Sequence, residues 1–237
     1  MVKGKVVYIT GGSKGIGYGV AEQLLAEGAI VYITARSEDG VNKAINQLSK
    51  IEGGKVAGHV CDVRSLDNQT EVVNAIIKAE GKLDVVVANA GVGHFASIED
   101  MSVGQWHEMI DINLTGVFNT IKASVDALKE SKGYFMTIAS LAGTNFFAKG
   151  SGYNASKFGL VGFTQSVMLD LRQYGIKVTT IMPGSVSTYF NNRTPQESEG
   201  WKIQIEDLGQ IVSDLLKMHP RTLPSKIEVR PTMPPSK

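Results

Sequence analysis

Val6-Val7-Tyr8-Ile9-Thr10 runs directly into Gly11-Gly12-Ser13-Lys14-Gly15-Ile16-Gly17, and an amphipathic stretch follows as far as Ala26. A short β-branched run, a glycine-rich turn and a helical pattern predict strand, tight turn and helix in that order. Glycines at 11, 15 and 17 leave no side chains in the way, so backbone N–H groups can approach a pyrophosphate. A helix beginning near Ile16 would aim its unpaired N–H groups and its dipole at that anion. The context, a strand before and a helix after, is what makes a glycine triplet informative.

The same alternation continues along the chain. Strands are predicted at Ile30–Thr34, Val56–Val60, Val85–Ala88, Tyr134–Ala139 and Val178–Met182. Helices are predicted at Val41–Ile51, Asp67–Ala79, Val103–Leu128 and Tyr153–Tyr174. The strand candidates are near-continuous apolar runs, as in a parallel sheet covered on both faces. Repeated strand–helix–strand units predict right-handed crossovers. The expected class is α/β, a single-domain Rossmann-type doubly wound parallel sheet with helices on both faces. One dinucleotide-binding and catalytic domain is expected over 1–237. A helix over Ile205–Leu216 and a short strand over Lys226–Arg230 would lead to an extended tail at 230–237.

Composition excludes several classes. The 237 residues carry a net charge of +1 and are 43% hydrophobic and 20% charged, a globular balance with no global pull toward nucleic acid or an anionic membrane. No apolar run reaches spanning length. Cys61 is the one cysteine, so no internal disulfide can form, which suits a reducing, cytoplasmic setting. His59, His94, His107 and His219 are scattered, and no metal site is expected.

Two features speak to chemistry. The second strand ends Ile33-Thr34-Ala35-Arg36-Ser37. An NAD site usually has an acid there for the ribose 2′-OH. Arg36, with Lys14 in the glycine turn, would instead grip a 2′-phosphate, which predicts NADP(H). Farther on, Tyr153 and Lys157 stand four apart, on one helix face. A nearby ammonium favours a phenolate, so Lys157 is expected to lower the Tyr153 pKa from its usual value near ~10.

Thr10-Gly11-Gly12-Ser13-Lys14-Gly15-Ile16-Gly17, Asn89-Ala90-Gly91, Ser140 and Tyr153-Asn154-Ala155-Ser156-Lys157, in this order, resemble the motifs of the short-chain dehydrogenase/reductase family, and the resemblance spans about Lys5 to Thr188. It implies an oxidoreductase interconverting a carbonyl and an alcohol on a small molecule. Ser140 would polarise the carbonyl, Tyr153 would act as general acid and base, and Lys157 would hold the nicotinamide ribose and tune Tyr153. Asn113 would support a water in a proton relay. Cofactor contacts are implied at Thr10, Gly11, Ser13, Lys14, Gly15, Ile16, Gly17 and Arg36. They continue through Asp62 and Val63 at the adenine, Asn89, Ala90 and Gly91, then Tyr153, Lys157, Pro183, Gly184, Val186 and Thr188. His94, Phe95, Thr144, Phe147 and Tyr189 flank these segments as candidate substrate contacts, with Phe146-Phe147 as an apolar wall. The short polar segment 189–200 is expected to leave the cleft open. The family also implies a homo-oligomer, dimer or tetramer, built on the helices after Val103 and Tyr153. Two other functions remain open at this point: a 3-oxoacyl-thioester reductase working on an acyl carrier protein, and a non-catalytic NADP(H)-binding sensor.

Overall fold

The computed structural model describes residues 1–234. Seven parallel strands form one sheet in the order β3-β2-β1-β4-β5-β6-β7. They are β1 (Val6–Thr10), β2 (Ile30–Ala35), β3 (Lys55–Val60), β4 (Val85–Ala88), β5 (Tyr134–Ile138), β6 (Lys177–Pro183) and β7 (Lys226–Val229). All six pairings are parallel. The order reverses between β1 and β4, where a doubly wound sheet opens a crevice at the carboxyl ends of its strands. The sheet's two faces carry separate apolar layers, one including Ile9, Leu24 and Val212, the other Tyr8, Val86 and Phe135. Burial on both faces explains why the strands read as unbroken apolar runs.

The helices are α1 (Gly15–Ala26), α2 (Glu38–Leu48), α3 (Leu66–Glu80), α4 (Val103–Ile110), α5 (Gly116–Ser131), α6 (Ser151–Leu171) and α7 (Ile205–Lys217). Most lie where the apolar period puts them. Helix α2 starts and ends three residues before the expected Val41–Ile51, because the Ser37 side chain accepts from the Gly40 N–H and caps the helix there. The expected Val103–Leu128 helix contains a π-helical turn at Asp111–Thr115 between α4 and α5. Helix α6 tightens at Arg172–Tyr174 and stops at Gly175, with φ 77°. Residues 231–234 carry no regular structure, and the remainder of the expected tail, 235–237, lies outside the described residues. Among the described residues no helix is long and apolar enough to cross a membrane.

Candidate active site

A cleft of about 760 Å³ runs along the carboxyl edge of the sheet, a suitable size for a large ligand. At one end, β1 delivers the glycine turn. Gly11 and Gly15 have φ values of 65° and 61°, the left-handed region that favours glycine. Helix α1 begins at once, with no side-chain cap and no acid in its first turn. By contrast α2, α3 and α4 are capped by Ser37, Ser65 and Ser102, and α7 carries a capping box from Gln204 and Asp207. The first amides of α1 are therefore open to an external anion, and a phosphate fits them.

The turn is anchored from β4. The Asn89 Nδ2 donates to the carbonyls of Thr10 and Gly11 at 2.9 and 3.0 Å, and the Asn89 and Ala90 amides donate to the Thr10 hydroxyl at 3.0 and 3.1 Å. Two of the expected contact residues, Thr10 and Gly17, sit behind the turn and do not line the cleft. Thr10 is buried, 1% exposed, and its hydroxyl is occupied by the two amides, so it supports the turn from behind. Gly17 does the same: a Cβ there would lie 2.5 Å from the Asn89 Nδ2. Gly11, Ser13, Lys14, Gly15, Ile16, Arg36, Asp62, Val63, Asn89, Ala90, Gly91, Pro183, Gly184, Val186 and Thr188 do line the cleft.

The adenosine end of such a cleft is rich in charge. The Asp62 carboxylate is gripped by Arg64, whose Nε lies 3.0 and 2.9 Å from its two oxygens, and this holds Asp62 below the usual carboxylate range. Arg36 keeps 59% of its side chain exposed and faces Glu108 of α4 at 3.8 Å. The other Glu108 oxygen is 2.7 Å from the His94 Nε2. Sequence reasoning missed both Arg64 and Glu108.

At the opposite end stand Ser140, Tyr153 and Lys157, all lining the cleft. Ser140 lies two residues beyond β5 in extended backbone, and its Oγ accepts from the Ala142 amide at 3.1 Å. The turn that follows is tied to α6 by Asn154, whose Nδ2 donates to the carbonyls of Ala142 and Asn145, both at 2.7 Å. Lys157 is 4% exposed, and its Nζ donates to the Ile138 carbonyl at 3.1 Å. Burial pulls Lys157 down to about 8. Burial also pushes Tyr153 up to about 12, with a Ser140 hydrogen bond pulling the other way. The direction for Tyr153 is opposite to the sequence expectation. The Lys157 Nζ is 5.9 Å from the Tyr153 ring centre and is committed to a carbonyl, so desolvation of the phenol outweighs the ammonium.

Asn113 does not line the cleft. It sits in the π turn, fully buried, with Nδ2 donating to the Val92 carbonyl and the Ser156 hydroxyl and Oδ1 accepting from the Val92 amide. Both of its amide hydrogens are spent on fixing the β4 loop to α6. A π turn of this kind often marks a functional site.

An aromatic roof covers Tyr153. Phe95 and Phe190 lie 5.4 and 5.7 Å from its ring centre, and Phe147 is 5.8 Å from Phe95. Phe190 points its ring tip at the loop after β4, where a Cβ on Gly93 would lie 2.5 Å from its Cζ. Of the expected Phe146-Phe147 wall only Phe147 contributes, since Phe146 is 85% exposed. Thr144 turns its hydroxyl to the Leu141 carbonyl instead of the cleft. The segment after β6 is short, as expected, and its Val186, Thr188, Tyr189 and Phe190 line the cleft. A parallel bridge between Val186 and Ile203, and a 2.9 Å bond from the Ser187 hydroxyl to Glu199, tie the two ends of this segment to each other.

These features have counterparts in known proteins. A family model described as short chain dehydrogenase matches residues 5–199. The chain is 38% identical over 190 residues to trans-4-hydroxycyclohexanecarboxylate dehydrogenase of Sinomonas cyclohexanicum, covering 78% of this chain and 73% of that protein. It is 32% identical to an uncharacterized oxidoreductase of Staphylococcus epidermidis, covering 97% and 98%. Among solved structures, an alcohol dehydrogenase from the archaeon Thermococcus sibiricus, complexed with 5-hydroxy-NADP, superposes with a TM-score of 0.92 at 30% identity, covering 99% of this chain and 100% of that one. The family match takes in the opening strand–turn–helix and the first six strands of the sheet, and on that ground this chain belongs to the short-chain dehydrogenase family.

Proposed function

We propose that the chain is an NADP(H)-dependent oxidoreductase that interconverts a carbonyl and an alcohol on a small substrate, with Tyr153 as its general acid and base. The observation that carries this reading is one cleft with two matched ends. A glycine turn, an uncapped helix start and Arg36 stand at one end, and Ser140, Tyr153 and Lys157 at the other. Bound in that cleft, the cofactor supplies or accepts the hydride. The alcohol dehydrogenase of Thermococcus sibiricus, complexed with an NADP derivative, supports the cofactor assignment.

The protein's part is proton transfer and positioning. Ser140 donates to the carbonyl oxygen and stabilises the negative charge that develops there. A tyrosine held up at about 12 keeps its proton at neutral pH and suits donation in the reducing direction. Lys157 stands beside the same cleft wall, where its Nζ can reach a ribose hydroxyl and bias the phenol. Phe190 lines the cleft beside Tyr153, with Phe95 and Phe147 packed next to it, and gives the reacting carbonyl an apolar flank. Asn113 acts behind them, holding the β4 loop and α6 in register.

A homo-oligomer, dimer or tetramer, belongs to the same reading. The outer faces of α5 and α6 leave Phe118, Phe158 and Leu169 exposed, with Phe118 edge-on to Phe163 at 6.3 Å, an apolar surface suited to a second copy. The single buried thiol of Cys61 fits a cytoplasmic setting.

The test is a panel of ketones, aldehydes and 3-oxoacyl thioesters, followed by loss of NADPH absorbance. Turnover of free small carbonyls is expected. Turnover of carrier-linked thioesters alone would favour the acyl-carrier reductase, and no turnover anywhere, with NADPH bound, would favour the sensor.

A further inference from the structure

The second strand lacks the acid that an NAD site would place beside the ribose, but a carboxylate from another element reaches Arg36 at the end of that strand. Glu108 sits in the last turn of α4, 72 residues beyond Arg36, and projects across the cleft. Its Oε1 lies 3.8 Å from the Arg36 Nη1 and its Oε2 lies 2.7 Å from the His94 Nε2. All three residues line the cleft. The acid is held in place from two sides. A capping box from Ser102 and Gln105 fixes the start of α4, and the His94 backbone N–H points at the Met109 sulfur at 3.4 Å.

We propose that Glu108 sets cofactor discrimination by competing with the 2′-phosphate of NADP(H) for Arg36. This rests on the cofactor reading above. At 3.8 Å the Arg36–Glu108 pair is an ion pair without a close hydrogen bond, and Arg36 keeps most of its donors toward solvent. A phosphate, with a larger charge and three acceptor oxygens, therefore displaces the carboxylate. It must break the Arg36–Glu108 pair to do so, a cost that a cofactor without the phosphate does not meet. The 2′-hydroxyl of NAD(H) would meet Glu108 as an acceptor. Arg64 also feels the Glu108 charge, but its close ion pair is with Asp62, so it tempers the effect without replacing Arg36 as the Glu108 partner. Among the described residues Lys14 makes no ion pair, and it remains the second cation toward the phosphate. Glu108 thus narrows the gap that Arg36 and Lys14 create between the two cofactors.

Glu108→Gln tests this, since glutamine keeps the length and can still bond His94. Dissociation constants for NADPH and NADH are measured by cofactor fluorescence on the purified full chain, with thermal unfolding as the check on folding. NADPH is expected to bind about three- to tenfold more tightly, with NADH changed by less than about twofold. Equal movement of both constants, or weaker NADPH binding, would overturn the proposal. With Arg36→Gln already in place, adding Glu108→Gln should alter NADPH binding by less than about twofold. An undiminished gain in that background means direct repulsion of the phosphate and sinks the competition for Arg36. A wild type that binds NADH more tightly than NADPH removes the cofactor reading itself. A wild type that favours NADPH with a ratio unmoved by Glu108→Gln removes only the role of Glu108.

Discussion

Arg36 and Lys157 are cations in the same cleft, set in opposite surroundings. Arg36 is 59% exposed and faces a carboxylate at 3.8 Å, while Lys157 is 4% exposed and has a backbone carbonyl as its partner. Water screens the first, so its charge can be exchanged between Glu108 and a ligand at little cost to the fold. Burial penalises the second strongly enough to bring it down to about 8. On the function proposed above, the Arg36 end serves selection among ligands, and the Lys157 end a fixed, buried geometry whose destabilising charge is retained for chemistry.

The largest effect that could break this contrast is at Lys157. Lys157→Met should lower turnover by roughly two to four orders of magnitude, the range for a proton-transfer component. The same substitution should stabilise the fold by about 2 kcal/mol at pH 7, since a shift from 10.5 to about 8 corresponds to roughly 3 kcal/mol and the Ile138 carbonyl loses a donor. Because the folded pKa lies below the unfolded one, the penalty in the wild type is complete below about pH 8 and fades as pH rises toward 10.5. Denaturant melts at pH 7 and pH 10 should therefore show the variant's advantage shrinking at the higher pH. An advantage that stays constant would mean that the lysine charge is not its source.

Arg36→Asp is expected to have an intermediate effect. NADPH binding should weaken by about ten- to a hundredfold and NADH binding should improve, with the unfolding midpoint nearly unchanged. If the midpoint falls together with the affinity, Arg36 belongs to the fold and the contrast between the two ends fails. The smallest effect is expected at the roof. Gly93→Ala pushes a methyl into Phe190 and should raise KM for apolar ketones several-fold with little loss of kcat. A fall in kcat with KM unmoved would instead place Phe190 in control of Tyr153 chemistry.

The unequal legibility of the two ends follows from the same physics. The glycine turn and the Tyr153–Lys157 pair depend on local spacing, which periodicity exposes directly. The sheet was readable because burial on both faces left unbroken apolar runs. The start of α2 at Glu38 could have been found from Ser37 followed by two acids, a capping signal that the apolar count beginning at Val41 overrode. The π turn at Asp111–Thr115 has no such local mark, since it arises as Asn113 is drawn to Val92 and Ser156. Glu108 meets Arg36, and Phe190 meets Tyr153, only through tertiary packing across long stretches of chain. Lys157 carried a correct position and an incomplete electrostatic expectation, because spacing shows proximity and does not show the depth of burial.

Tyr153 is expected to supply the proton in a cleft that holds the cofactor mainly through other residues. The most direct test is Tyr153→Phe, assayed for NADPH oxidation at a saturating carbonyl alongside NADPH binding. A fall in kcat of roughly 10²–10⁴-fold is expected, with the NADPH dissociation constant within about twofold of wild type. Turnover that survives the loss of the hydroxyl, at unchanged cofactor affinity, would contradict that role.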